Sequence, residues 1–292
     1  MRQLILLLSL LVSSTLGAEP LSVFVSLLPQ QTFVERLGGP DVVVESLVKP
    51  GFSPHTYEPT PSQIARLAEA ELFVGIGLPF ESAWMERLRA ANPNMRLLDL
   101  SEGIERRVME AHDHHHDHHA HAPAVPAQAG SELDPHLWTS PRLVRTMGER
   151  IAAVLTELDP AHASDYAARL ATFQADLEAL DADIRAQLAG LKHRRFMVYH
   201  PAWGYFADAY GLTQIPIELD GKEPGPRQLA DLIDQARKQN VKVIFVQPQF
   251  SRKAAEQVAR AIDGRVEAID NLAPDYFENL RRVALAIAAS ER

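Results

Sequence analysis

Residues 160–188 read PAHASDYAARLATFQADLEALDADIRAQL, and the spacing of their apolar side chains decides the architecture. Tyr166, Leu170, Phe173, Leu177, Leu180, Ile184 and Leu188 recur three or four positions apart, the period that lines one face of an α-helix. At 1.5 Å per residue such a helix runs roughly 40 Å, the height of a small domain. The run before it, Val144, Met147, Ile151, Val154 and Leu158, has the same period. Pro160 has no backbone N–H to continue that helix, so the spacing predicts two helices broken near Asp159 and Pro160.

On both sides of this helical stretch the pattern changes to short β-rich runs alternating with helical ones. Leu21–Leu28, Val42–Val48, Leu72–Ile76 and Arg96–Leu100 read as strands on the N-terminal side. Pro61 and Pro79 open helices between them, because proline suits a first turn whose N–H has no intrahelical partner. Beyond Gly190 strands are predicted at Phe196–Tyr199, Gln214–Ile217, Val241–Val246 and Val266–Ile269. Helices are predicted near Trp203–Tyr210, Pro226–Gln239, Arg252–Ile262 and Pro274–Ala289, and Glu223 falls in the turn entering the second of these. The fold class is therefore α/β, with two βα lobes joined by a long rigid helix. The expected divisions are a leader at 1–18, an N-terminal lobe at 19–159 carrying a loop at 111–130, a linking helix at 160–190 and a C-terminal lobe at 191–292, each lobe with its own core.

Composition narrows the function. The chain has 292 residues, 46% hydrophobic and 23% charged, an ordinary globular mixture rather than a disordered one. Arg2 followed by the apolar run Leu4–Val12 and small residues to Ala18 predicts a secretory signal, and that run is well short of the ~20 residues that span a bilayer. Without cysteine there is no disulfide and no lipid attachment at the signal junction, so a soluble, periplasmic product is expected. Removing 1–18 takes away only Arg2 and moves the formal charge from -9 to -10, which argues against nucleic acid or anionic lipid as partner.

Histidine carries the chemistry. In AHDHHHDHHAHAPAVPAQAG, residues 111–130, the side chains His112, His114, His115, His116, His118, His119 and His121 crowd together with Asp113 and Asp117. No packed core forms from such a run; neutral imidazoles in that density give accessory, exchangeable sites for zinc, copper or nickel. Three others sit beside proline in loops. His55 follows the strand Val42–Val48, and His200 ends Phe196–Tyr199, both at carboxyl ends of strands, where α/β sheets build their ligand crevices. Asp270 ends Val266–Ile269 in the same way, and His136 follows the conformationally restricted Pro135. The remaining two, His162 and His193, have charged neighbours and read as solvated bystanders.

The stretches KPGFSPHTYEPTPSQ (49–63), DPHLWTSP (134–141), YHPAWGYFADAYGL (199–212), GKEPGPRQLADLI (221–233) and AIDNLAPDY (268–276) resemble the metal-binding receptors of bacterial zinc ABC importers, the ZnuA-like group, along nearly the whole mature chain. That resemblance implies a cargo of Zn2+ held in the interlobe cleft by His55, His136 and His200 with Asp270 as fourth ligand. It further implies an ABC-type permease in the inner membrane as partner, and a monomer without enzymatic activity. Three imidazoles suit zinc, whereas manganese prefers more oxygen donors. A related manganese receptor, a stand-alone zinc buffer and a secreted zinc hydrolase are the competing readings; the last lacks a helix carrying an HExxH signature. Imidazoles with ordinary pKa values of ~6.5 predict that acidification weakens metal binding.

Overall fold

The computed structural model describes residues 19–109, 133–218 and 221–291. The expected leader and the histidines between 111 and 130 lie outside these residues. Two four-stranded sheets, all parallel, organise the chain. The first contains β1 (Leu21–Val25), β2 (Val42–Ser46), β3 (Leu72–Gly75) and β4 (Arg96–Asp99) in the order β2-β1-β3-β4. The second contains β5 (Arg195–Val198), β6 (Thr213–Pro216), β7 (Val243–Val246) and β8 (Arg265–Ala268) in the same relative order, β6-β5-β7-β8. Both central strands β3 and β7 are buried along their length, as uninterrupted apolar runs covered on two faces must be. In each sheet the strand order reverses beside its first strand, and loops leaving the carboxyl ends there are placed to hold a ligand.

The connecting helices are α1 (Leu28–Gly38), α2 (Pro61–Leu67), α3 (Pro79–Ala91), α4 (Pro141–Leu158), α5 (Ala163–Leu188), α6 (Gly204–Tyr210), α7 (Pro226–Lys238), α8 (Lys253–Ala261) and α9 (Tyr276–Ala289). The strand expected over Leu21–Leu28 ends at Val25 because α1 begins at Leu28. Pro29 occupies its first turn, and the Gln30 side chain accepts the Leu27 N–H at 2.9 Å. The break between α4 and α5 falls at Asp159, whose φ of -135° and ψ of 76° lie outside the helical region before Pro160. His162 is no bystander at this joint. Its Nδ1 lies 2.5 Å from Asp159, which also accepts from the Tyr166 hydroxyl at 2.8 Å, and the Asp159 hydrogen bond raises the imidazole pKa.

Helix α5 buries Tyr166, Phe173, Leu177, Leu180, Ile184 and Leu188, the stripe the sequence predicts. Each such side chain stabilises the fold by about 1.5–3 kcal/mol through removal from water. Gly148 brings α4 close: a Cβ there would lie 2.9 Å from the Phe173 ring. Instead of a separate core in each lobe, one continuous core runs from Val23 and Phe33 through α5 to Phe245 and Tyr276. A smaller cluster with Met197, Ile217 and Ile244 lies on the other face of the second sheet. The reason is that α9 returns across the molecule, setting Tyr276 edge-on to Phe33 at 4.8 Å, so both sheets share the helices between them. Among the described residues no helix is long and apolar enough to cross a membrane.

Candidate metal centre

Three loops converge where the two sheets face one another. His55 sits in a single 3-10 turn, Pro54–Thr56, after β2, with the Ser53 hydroxyl accepting its backbone N–H at 3.3 Å. The exit of that loop is fixed by Thr60 and Gln63, which cap α2 reciprocally: Gln63 N donates to Thr60 Oγ1 and Thr60 N to Gln63 Oε1. Gln63 Nε2 then ties the loop back to the Leu47 carbonyl at 2.8 Å. His136 precedes the 3-10 turn Leu137–Thr139, and its fully buried neighbour Trp138 donates to the Asn271 carbonyl at 2.6 Å. His200 leaves β5 with its backbone N–H and C=O both bonded to the Gln247 side chain.

The three ring edges meet. His200 Nε2 lies 3.1 Å from His55 Nε2 and 3.2 Å from His136 Nε2, and one ligand atom from each residue falls within 4.8 Å of the others. Zinc–imidazole bonds of 2.0–2.1 Å in a tetrahedron require nitrogens about 3.3 Å apart. The two separations from His200 are thus within a few tenths of an ångström of a tetrahedral edge, with the ligand atoms of His55 and His136 within 4.8 Å of each other.

Two buried carboxylates hold the outer nitrogens. Asp134 Oδ1 accepts from His136 Nδ1 at 2.7 Å and from the His136 backbone N–H at 2.9 Å. Glu218 Oε1 pairs with His200 Nδ1. With Nδ1 protonated and bound in this way, Nε2 of His136 and of His200 is left as the unprotonated donor facing the metal position. Neither carboxylate was named by the sequence reading. The Asp-Pro-His spacing carried a signal for Asp134, but Glu218 lies 18 positions from His200 and carries no local one.

Asp270 is not among the groups that converge on the imidazole nitrogens. Its Oδ1 accepts from Leu272 N at 2.9 Å and from Gln249 Nε2 at 3.1 Å. His193 lies away from the centre, its backbone N–H bonded to Glu291.

The electrostatics favour neutral rings at His55 and His200. Burial, then the neighbouring imidazoles of His136 and His200, pushes His55 down to about 2. Burial also lowers the pKa of His200, against the opposing pull of the Glu218 hydrogen bond. The ordinary imidazole pKa assumed from sequence therefore does not hold at these two positions. Proton competition at His55 and His200 is therefore weaker than ordinary imidazoles would give.

A family model described as "Zinc-uptake complex component A periplasmic", ZnuA, matches residues 23–290. The chain belongs to the ZnuA family. It is 31% identical over 273 residues to the "High-affinity zinc uptake system protein ZnuA" of Bacillus subtilis (strain 168), covering 89% of this chain and 82% of that protein. A crystal structure of a ZnuA superposes with a TM-score of 0.85 at 43% identity, covering 94% of this chain and 100% of the other. A ZnuA deletion mutant crystallised with zinc bound gives a TM-score of 0.83, also at 43% identity, covering 93% and 98%. The two-sheet fold with its long helix is that of the family, whose members are zinc-binding transport receptors rather than enzymes.

Proposed function

We propose that this chain is an extracytoplasmic receptor that captures Zn2+ between its two lobes, 19–159 and 191–292, and delivers it to an ABC-type permease in the inner membrane. The observation that supports this reading most is the convergence of His55, His136 and His200, with Nε2 of His200 3.1 and 3.2 Å from the other two, close to the edge of a zinc tetrahedron. The leader-like residues 1–18 and the family's periplasmic description support export to the periplasm, where we take the chain to act as a monomer. Asp270, two residues beyond β8, is our candidate for the fourth position; its Oδ1 accepts from Gln249 and Leu272, and Oδ2 is the oxygen left to reach the ion. The histidines between 112 and 121 serve as an accessory site.

The test is calorimetric titration with zinc, against a competing chelator, of the mature protein, a variant lacking 112–121, and His55→Ala, His136→Ala, His200→Ala and Asp270→Ala. One tight site that survives the deletion and is weakened by each histidine change, and less by Asp270→Ala, is the expected result. Tight binding that vanishes with the deletion and survives all three histidine changes would refute the receptor reading and leave a zinc buffer in its place.

A further inference from the structure

The turn after β7, Gln247-Pro248-Gln249-Phe250, touches both strand-end loops of the second sheet. Gln247, buried at its root, donates Nε2 to the His200 carbonyl at 2.7 Å and accepts the His200 N–H at 3.3 Å. Gln249 holds Asp270 Oδ1 at 3.1 Å. Between them Phe250 lies flat on the His200 imidazole, with ring centroids 4.7 Å apart and planes 20° from parallel. Its other ring neighbour is Tyr199, at 5.5 Å.

A metal bond to imidazole is directional, because the donor lone pair lies in the ring plane. Glu218 grips His200 at Nδ1 alone, and a single contact on the ring edge still lets the ring swing about that point and carry Nε2 out of line. A flat aromatic surface against the ring face removes that freedom. The Gln247 bonds keep the backbone from shifting instead. Phe250 lies in the turn four residues beyond β7, whose root is anchored by the buried Gln247 and its two bonds to the His200 backbone.

We infer that Phe250 is a positioning residue for zinc: its ring, stacked on His200, fixes the imidazole plane so that Nε2 stays aimed at the ion. This rests on the three-histidine reading of the site. Hydrogen-bonded partners that orient metal-ligating histidines typically contribute roughly 10- to 100-fold to metal affinity, and with that as the scale for a stacked partner a loss of similar size is expected for Phe250→Ala.

The experiment uses the full mature protein and measures zinc affinity by chelator competition, with Co2+ absorption as a report of ligand geometry, well below the melting temperature of every variant. Phe250→Ala is expected to bind zinc roughly 10- to 100-fold more weakly and to change the Co2+ spectrum, and Phe250→Tyr, which keeps the flat ring, to restore both. A Phe250→Ala protein that melts earlier yet binds within about twofold of the parent, with the parent's Co2+ spectrum, reduces Phe250 to a packing residue and overturns the inference. A Phe250→Tyr protein as weak as Phe250→Ala overturns it too. His200→Ala separates the two levels: if it also leaves affinity unchanged, the three-histidine site itself fails, whereas if it abolishes tight binding, a silent Phe250→Ala counts against Phe250 alone.

Discussion

Lowering the pH from 7 to 5 tests the electrostatics of the centre most directly. In the unfolded chain His55 has an ordinary imidazole pKa of ~6.5, so its neutral fraction falls about 25-fold across this interval. In the folded chain burial and the two neighbouring rings hold His55 near 2, and it stays neutral at both pH values. Protons then bind the unfolded state and not the native one, so stability falls as pH falls. The contribution is complete above the unfolded value and is lost progressively between ~6.5 and about 2. A 25-fold difference in the neutral fraction corresponds to about 2 kcal/mol by pH 5, and His200, shifted the same way, adds to it. The assay is urea denaturation of the metal-free protein, with chelator present, at pH 7 and pH 5. The parent is expected to lose about 2 kcal/mol more than His55→Leu, which has nothing to titrate at that position. Parallel losses in the two proteins would refute the depressed pKa. Zinc affinity of the folded protein offers an internal check, because the 25-fold proton competition of an ordinary imidazole is expected to be missing at His55.

Two further substitutions separate the site from its scaffold. Glu218→Ala removes the carboxylate on His200 Nδ1 and is expected to weaken zinc binding roughly 10- to 100-fold, measured by chelator competition. Leu180→Ala empties a fully buried position on α5 and is expected to destabilise the protein by about 2–5 kcal/mol in urea titration, with zinc stoichiometry unchanged in the folded fraction.

Much of the fold was legible because its signals are local. The apolar stripe of α5 is a period, the starts of α2 and α3 are Pro61 and Pro79, and the break at Asp159 follows from a missing N–H at Pro160. Strand ends were less legible. At Leu28 an apolar residue suits strand and helix equally, and the decision is made by Gln30 reaching back to Leu27 N. The shared core was illegible for a different reason: nothing in the sequence of α9 announces that Tyr276 packs on Phe33, more than 200 positions earlier.

The same distinction runs through the metal centre. His55, His136 and His200 could be picked out because each sits beside proline at the edge of a regular element, a pattern written in neighbouring residues. What makes them a binding site is not written there. The rings must be neutral, turned with Nε2 inward, and held about one tetrahedral edge apart, and those conditions depend on Asp134, Glu218, Gln247 and the burial supplied by both sheets. Parallel sheets with the same strand order present their carboxyl-end loops toward one cleft, so residues separated by 81 and 64 positions in the chain reach a common point. An ion held by such a shell meets His136 and His200 already oriented, and His55 and His200 with their charged forms disfavoured. The ordering and deprotonation costs of binding are thereby met largely in folding, which is where the expected loss of stability below pH 6.5 originates.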